Sequence, residues 1–237
     1  MTISIIARDE KTGRTGIAVA GKLLAVGARN AFIRSGVGAI ASQAFFNPYY
    51  GPRGLALLAA GATAEDTVRL LTAADEGRER RQVHVLDRSG NFAAFTGAEC
   101  AEWRGHLGLP TCSLAGDALP GPQVLDAMAD TFEVEVATPF ARRLIAAMKA
   151  GERAGGDKHA HHSASLLIHD DQDYSLLDLR ADDHPDPLAE IERLEAIARQ
   201  HWVHVRRLLP SRDDAYGLLD HTLADARIAA SIAEGYE

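Results

Sequence analysis

The first residue able to do chemistry is Thr2, which directly follows Met1. A methionine followed by a small side chain is the usual substrate for excision, and its loss here would leave a threonine that carries both a hydroxyl and a free α-amine. Such an amine has an unperturbed pKa of about 7.7–8, so a neutral fraction exists at physiological pH and can take the hydroxyl proton directly or through water. The competing reading is that Thr2 is only the first β-branched residue of a strand. A second group, Asp157, His159, His161 and His162, has a spacing that would put Asp157, His159 and His161 on one side of an extended segment, as some metal sites do. No thiolate or evident fourth ligand accompanies them, so a polar loop holding no metal is expected. Cys100 and Cys112 are too few for a disulfide framework, and His106 between them is weak support for a thiol nucleophile, so both are read as small semi-buried residues.

The elements that must position these groups are legible from period and punctuation. Apolar runs at 3–7 and 16–20, separated by Asp9 to Gly13, predict a β-hairpin at the start of the chain. A third run at 37–45 leads through Asn47-Pro48-Tyr49-Tyr50-Gly51-Pro52 into a helix over 53–60. Thr63, with Asp66 three residues on, caps a second helix whose buried side is expected to be Val68, Leu70 and Leu71. A second hairpin, 82–86 with 92–96, turns at Asp87-Arg88-Ser89-Gly90, and a strand follows at 111–115. Two helical patterns come next, one with Val124, Leu125, Met128 and Phe132, the other with Phe140, Leu144, Ile145 and Met148. After the Gly155-Gly156 break, a last hairpin is expected over 163–168 and 174–180, with a helix from Leu188.

Strands, a helical pair, strands, a second helical pair and a closing hairpin predict an α+β fold, a four-layer αββα sandwich. One domain is expected over residues 1–187. Residues 188–237 form a C-terminal helical extension, with Ile191, Leu194, Trp202, Val205 and Leu209 packing on the body or on a partner subunit. The 237 residues, 46% hydrophobic and 24% charged, are an ordinary globular composition. A net charge of −8 disfavours nucleic acid or an anionic membrane as the main partner. The start lacks a basic segment leading into an apolar one and no run approaches a membrane span, so a cytoplasmic protein is expected, by default a homodimer.

The sequence also resembles a known family. The segments T-I-S-I-I-A-R-D at 2–9, G-I-A-V-A-G-K at 16–22, A-V-G at 25–27, G-V-G-A-I-A-S-Q at 36–43 and N-P-Y-Y-G-P-R-G-L at 47–55 carry the resemblance. G-R-E-R-R-Q-V at 77–83, F-T-G-A-E-C at 95–100, G-G-D-K at 155–158 and D-D-H-P-D-P at 182–187 extend it. Together they resemble the bacterial and archaeal family called domain of unknown function 1028, which is placed among the N-terminal-nucleophile (Ntn) hydrolases. The resemblance implies Thr2 as nucleophile, with Lys22, or else Arg34, as the cation that holds down the amine's pKa. It implies an oxyanion-binding backbone N–H near Ser42 to Ala44, and substrate contacts from Gln43, Asn47 and Tyr50, although these last three also suit turn residues that satisfy backbone groups. Asp117 stands where the family is expected to show Asn, and Gly21 where it more often shows Ser. The oxyanion- and substrate-binding set implied is Gln43, Ala44, Asn47, Tyr50, Arg34, Asp117 and Asp157, with Thr2 and Lys22 catalytic and no cofactor. The expected function is hydrolysis of an amide-type carbon–nitrogen bond in a small molecule, the alternative a non-catalytic binding protein on the same scaffold.

Overall fold

Strand β1 (Thr2–Arg8) is buried along nearly its whole length because it has a strand on either side and packed residues on both faces. It pairs antiparallel with β2 (Thr15–Gly21), in a register running from Thr2↔Gly21 to Arg8↔Thr15, so the expected opening hairpin is present. On its other side it pairs antiparallel with β8 (Cys112–Leu119), from Thr2↔Asp117 to Ala7↔Cys112. With β7 (Trp103–Gly108), β9 (Ser163–His169) and β10 (Leu177–Ala181), these strands form a six-stranded sheet in the order β10-β9-β2-β1-β8-β7. A second, four-stranded antiparallel sheet has the order β3-β4-β5-β6, from β3 (Ala31–Arg34), β4 (Gly38–Ala44), β5 (Arg81–Asp87) and β6 (Phe92–Thr96). The computed structural model describes residues 1–101, 103–155 and 161–235.

Side-chain alternation along the strands divides their buried apolar residues among three cores. Ile3 and Ile5 of β1, Leu114 of β8 and Leu166 of β9 pack with α4 (Gln123–Val134), α5 (Phe140–Arg153) and α6 (Pro187–Gln200), which contribute Met128, Phe132, Leu144, Met148 and Leu188. Ile40 of β4 and Val83 and Val85 of β5 pack with Tyr50 and Leu58 of α2 (Tyr50–Ala59) and with Val68 and Leu71 of α3 (Ala64–Ala73). A smaller third core joins the sheets, with Ile6, Ile17 and Val19 from one and Ala39, Ala41 and Leu86 from the other.

Local signals explain most of the boundaries. The Thr63 side chain accepts the Asp66 N–H at 3.1 Å and starts α3, and Asp186 does the same for α6 with the Ala189 N–H at 3.1 Å. The buried side of α3 differs from expectation, since Leu70 is 40% exposed while Thr67 and Thr72 are buried. Thr72 tolerates that position because its hydroxyl donates to the Val68 carbonyl at 2.9 Å. The short β3 and the edge strand β7 have no counterpart in the expected element list. In the C-terminal segment, α6 and the Val203 turn of α7 (Trp202–Val205) enter the first core, whereas α8 (His221–Glu234) buries none of its residues. No helix among the described residues is long and apolar enough to cross a membrane.

Phe132 is fully buried, and Val134, two residues on, is 82% exposed. In urea unfolding, Phe132→Ala is expected to cost about 3–5 kcal/mol and Val134→Ala less than about 0.5 kcal/mol.

Candidate active site

Between the sheets the chemistry changes along β1. Ile6 belongs to the apolar third core, Ser4 stands one pleat further on, and Thr2 is the last residue of the same face. Ser4 Oγ donates to Gln43 Oε1 at 2.6 Å and lies 2.9 Å from His84 Nε2, whose Nδ1 is 3.1 Å from Ser113 Oγ. With the Ser4 proton directed at Gln43, His84 carries its proton on Nε2 and accepts from Ser113. Burial above all, with the charge of His106 second, pushes the His84 pKa down to about 3, so this imidazole is neutral. Gln43 Nε2 donates to Gln82 Oε1 at 2.7 Å and lies 3.5 Å from the Thr2 carbonyl, while Gln82 Nε2 donates to the Gly105 and Gly116 carbonyls. A continuous buried polar layer thus fixes the backbone on either side of Thr2.

At the end of that layer, Thr2 is 9% exposed and Asp117, its partner in β8, is 7% exposed. The Asp117 carboxyl stands opposite Thr2 in the strand register, where the Met1 α-ammonium, the Ala44 N–H and the Thr2 hydroxyl favour its charged form, yet its Oδ1 is buried with no partner among the described residues. Burial outweighs these stabilising contacts and pushes its pKa up to about 6. Ala44 and Ala118, which flank the pair in space and sequence, both sit in the left-handed region, at φ of 65° and 56°. For non-glycine residues this costs of order 1–2 kcal/mol each, and such strain gathers at functional sites. On the β2 side Gly21 opposes Thr2, where a Cβ would stand 3.2 Å from Thr2 Oγ1. The glycine in place of the expected serine therefore leaves the hydroxyl uncrowded.

The residues singled out from sequence separate into groups. Thr2, Ala44 and Asp117 come together. Gln43 lies behind them, its amide consumed by the buried layer. Lys22 follows Gly21 with an exposed side chain at the rim. Arg34 does not join them: it pairs with Gly38, at the opposite end of β4 from Ala44 and roughly 20 Å away at about 3.3 Å per residue. Asn47 and Tyr50 turn to another carboxylate, Asp75, where Asn47 Nδ2 donates at 3.0 Å and Arg81 Nε at 3.2 Å, beside a cavity of about 430 Å³ between α2 and α3. Asp157 and His159 lie outside the described residues. His161 is buried, its Nδ1 3.7 Å from Glu152 Oε1, and among the described residues no group of three or more His, Cys, Asp or Glu is placed to hold a metal. Both cysteines are buried thiols, with Cys112 pushed by burial to about 12 and Cys100 pushed up, which leaves neither a reactive thiolate. Sequence reasoning missed Ser4, His84, Gln82 and Ser113. Their signal was polar residues at period two within otherwise apolar strands.

Two antiparallel sheets, helices packed on them and a hydroxyl–carboxylate pair at the end of an interior strand define a mixed α/β protein with one polar site between its sheets. A family model described as a family of unknown function, DUF1028, matches residues 2–191, and the chain belongs to that family. The crystal structure of a protein from Silicibacter pomeroyi of the same family is similar, with 35% identity and a TM-score of 0.83 over 92% of this chain and 99% of that one. Anbu, an ancestral β-subunit from Yersinia bercovieri, aligns over 82% of this chain and 96% of that one, at 13% identity and a TM-score of 0.40, too low to carry an argument. No curated protein matches the chain.

A carboxyl whose folded pKa lies above its ordinary value contributes stability that is fully present below the unfolded value and lost as pH rises through about 6. Asp117→Asn removes the buried charge. Its stability gain over the unaltered chain is expected to be small at pH 4 and to grow to roughly 1–3 kcal/mol above pH 7, read from urea midpoints across that range.

Proposed function

We propose that the chain is a hydrolase of the N-terminal-nucleophile type, an αββα sandwich that cleaves an amide-type carbon–nitrogen bond of a small molecule through an acyl-Thr2 intermediate. The observation that carries this reading is the placement of Thr2, the last inter-sheet residue of a central strand, with its hydroxyl against Asp117 and the Ala44 amide beside both. Thr2 Oγ attacks the carbonyl carbon of the substrate. In the scheme common to this class, the proton passes to the α-amine freed by loss of Met1 and then to the departing nitrogen. Water hydrolyses the resulting ester and returns the proton to Thr2. The Ala44 N–H, at the left-handed end of β4, faces the Asp117 carboxylate and serves the developing oxyanion by turning from that carboxylate to the substrate oxygen. Gly21 leaves the acyl group room beside the hydroxyl.

The test is covalent labelling with a β-lactone probe, mapped by peptide mass. Thr2→Ala should lose the adduct while keeping a cooperative melting transition within a few degrees of the unaltered chain, because the substitution removes one hydroxyl and one methyl at a strand end, and Thr2→Ser should keep part of the labelling. Undiminished labelling in Thr2→Ala would remove Thr2 from the chemistry and return the chain to the reading of a binding protein.

A further inference from the structure

We propose that Asp117 is the proton acceptor for Thr2, so that the hydroxyl is activated by a side-chain carboxylate and reacts while Met1 is still attached. This rests on the reading of Thr2 as nucleophile and changes the identity of the base. While Met1 is present, the Thr2 nitrogen is an amide and cannot take a proton. The titratable group placed beside the hydroxyl is the Asp117 carboxylate, set opposite Thr2 by the β1–β8 register and buried with it. Its Oδ1 is buried without a hydrogen-bond partner among the described residues, a vacant acceptor beside the nucleophile. The other candidates are elsewhere: His84 is enclosed by Ser4 and Ser113, and Lys22 is exposed at the rim.

The electrostatic surroundings suit the role. Facing Asp117 are the Thr2 hydroxyl from β1 and the Met1 α-ammonium just before it, the Ala44 N–H from β4 and the buried Cys100 thiol, on which Arg104 of β7 also acts. Burial prevails over the ammonium and lifts the carboxyl above its ordinary range, which makes its conjugate base stronger than that of an exposed aspartate. In the reaction, the Thr2 Oγ–H bond breaks as the Oγ–C bond to the acyl carbon forms, and the proton moves to Asp117. Asp117 then gives that proton to the leaving nitrogen as the C–N bond breaks. In the second half, Asp117 takes a proton from the attacking water and returns it to Thr2 Oγ as the ester opens. The balance needs no other reactant than water.

The experiment uses the full chain in two forms, Met1-retaining and Met1-free, the first secured by expression with a methionine aminopeptidase inhibitor and both verified by intact mass. Each is reacted with the β-lactone probe, whose ring-opening oxygen takes the proton in place of a leaving nitrogen. The Met1-retaining form should be labelled on Thr2, at a rate that rises with pH to a plateau with its midpoint near pH 6. Asp117→Asn, similar in size and uncharged, should slow that labelling by about 100-fold or more, and Asp117→Glu should restore a measurable part. If only the Met1-free form is labelled, with a midpoint near pH 8, the α-amine is the base and the proposal fails while Thr2 remains the nucleophile. An absence of Thr2 adduct in both forms overturns the nucleophile reading itself.

Discussion

The register of β1 against two antiparallel neighbours is the constraint from which the site follows. Because side chains alternate with period two, pairing Thr2 with Gly21 on one side and Asp117 on the other puts the hydroxyl, the missing side chain and the carboxylate on one face at one level. A slip of one residue would exchange Ile3 and Ile5 for Thr2 and Ser4 beneath α4 and α5, burying hydroxyls in an apolar core and Ile side chains in the polar layer. Such a slip forfeits the burial of two isoleucines, about 1.5–3 kcal/mol each, before any cost of unpaired hydroxyls. The hydroxyl–carboxylate arrangement therefore needs no separate positioning device along the strand, since the apolar core enforces it from the opposite face.

The polar layer between the sheets completes that control in the direction from one sheet to the other. Ser4, His84, Gln43 and Gln82 are held to one another and to main-chain carbonyls, and a buried network of this kind is tolerable only because its hydrogen bonds are made. Its effect is to tie β1 to β4 and β5, and so to fix the end of β4 where Ala44 turns left-handed. The strained alanines and the buried carboxylate are costs concentrated at this one end, while the opposite end of the same inter-sheet face is filled by Ile17, Val19 and Leu86. Stability gathered in the apolar parts thus offsets a local arrangement that no stability argument would select.

How far this was legible in the sequence depends on the range of the signal. The hairpins, the Thr63 cap and the helical pairs are set by neighbours within a few residues, and the chain shows them openly. Leu70 was assigned to the wrong side because Thr67 and Thr72 disguise the buried stripe of α3, Thr72 satisfying its hydroxyl on the helix itself. The strands β3 and β7 are short or alternate weakly, and each exists through a partner strand. For the site, family likeness pointed to Thr2, Ala44 and Asp117, but no local pattern could state that Asp117 faces Thr2, because 115 positions separate them and only the β1–β8 register joins them. The same absence of tertiary information grouped Asn47 and Tyr50 with Gln43. They are close in sequence, yet the chain leaves β4 at Ala44 and carries them to Asp75 on the helical side.

Loss of Met1 would alter the physics of the pair more than its geometry. The methionine side chain is partly buried against the core that α4 and α5 share, so excision removes an apolar contact and moves the positive terminus one residue closer to Asp117. A carboxylate and an ammonium at that range stabilise each other's charged forms: the carboxyl pKa falls, which weakens the carboxylate as a base, and the amine pKa rises, which keeps the amine protonated and unable to take the hydroxyl proton. Their titrations then belong to the pair and not to either residue. A buried Asp117 thus works against the neutral amine that an amine-base mechanism requires, whereas an uncharged asparagine at this position would leave the amine free to lose its proton. The aspartate opposite Thr2 consequently lowers the fraction of neutral amine at the terminus, and it does so through its side-chain charge with the strand register unchanged.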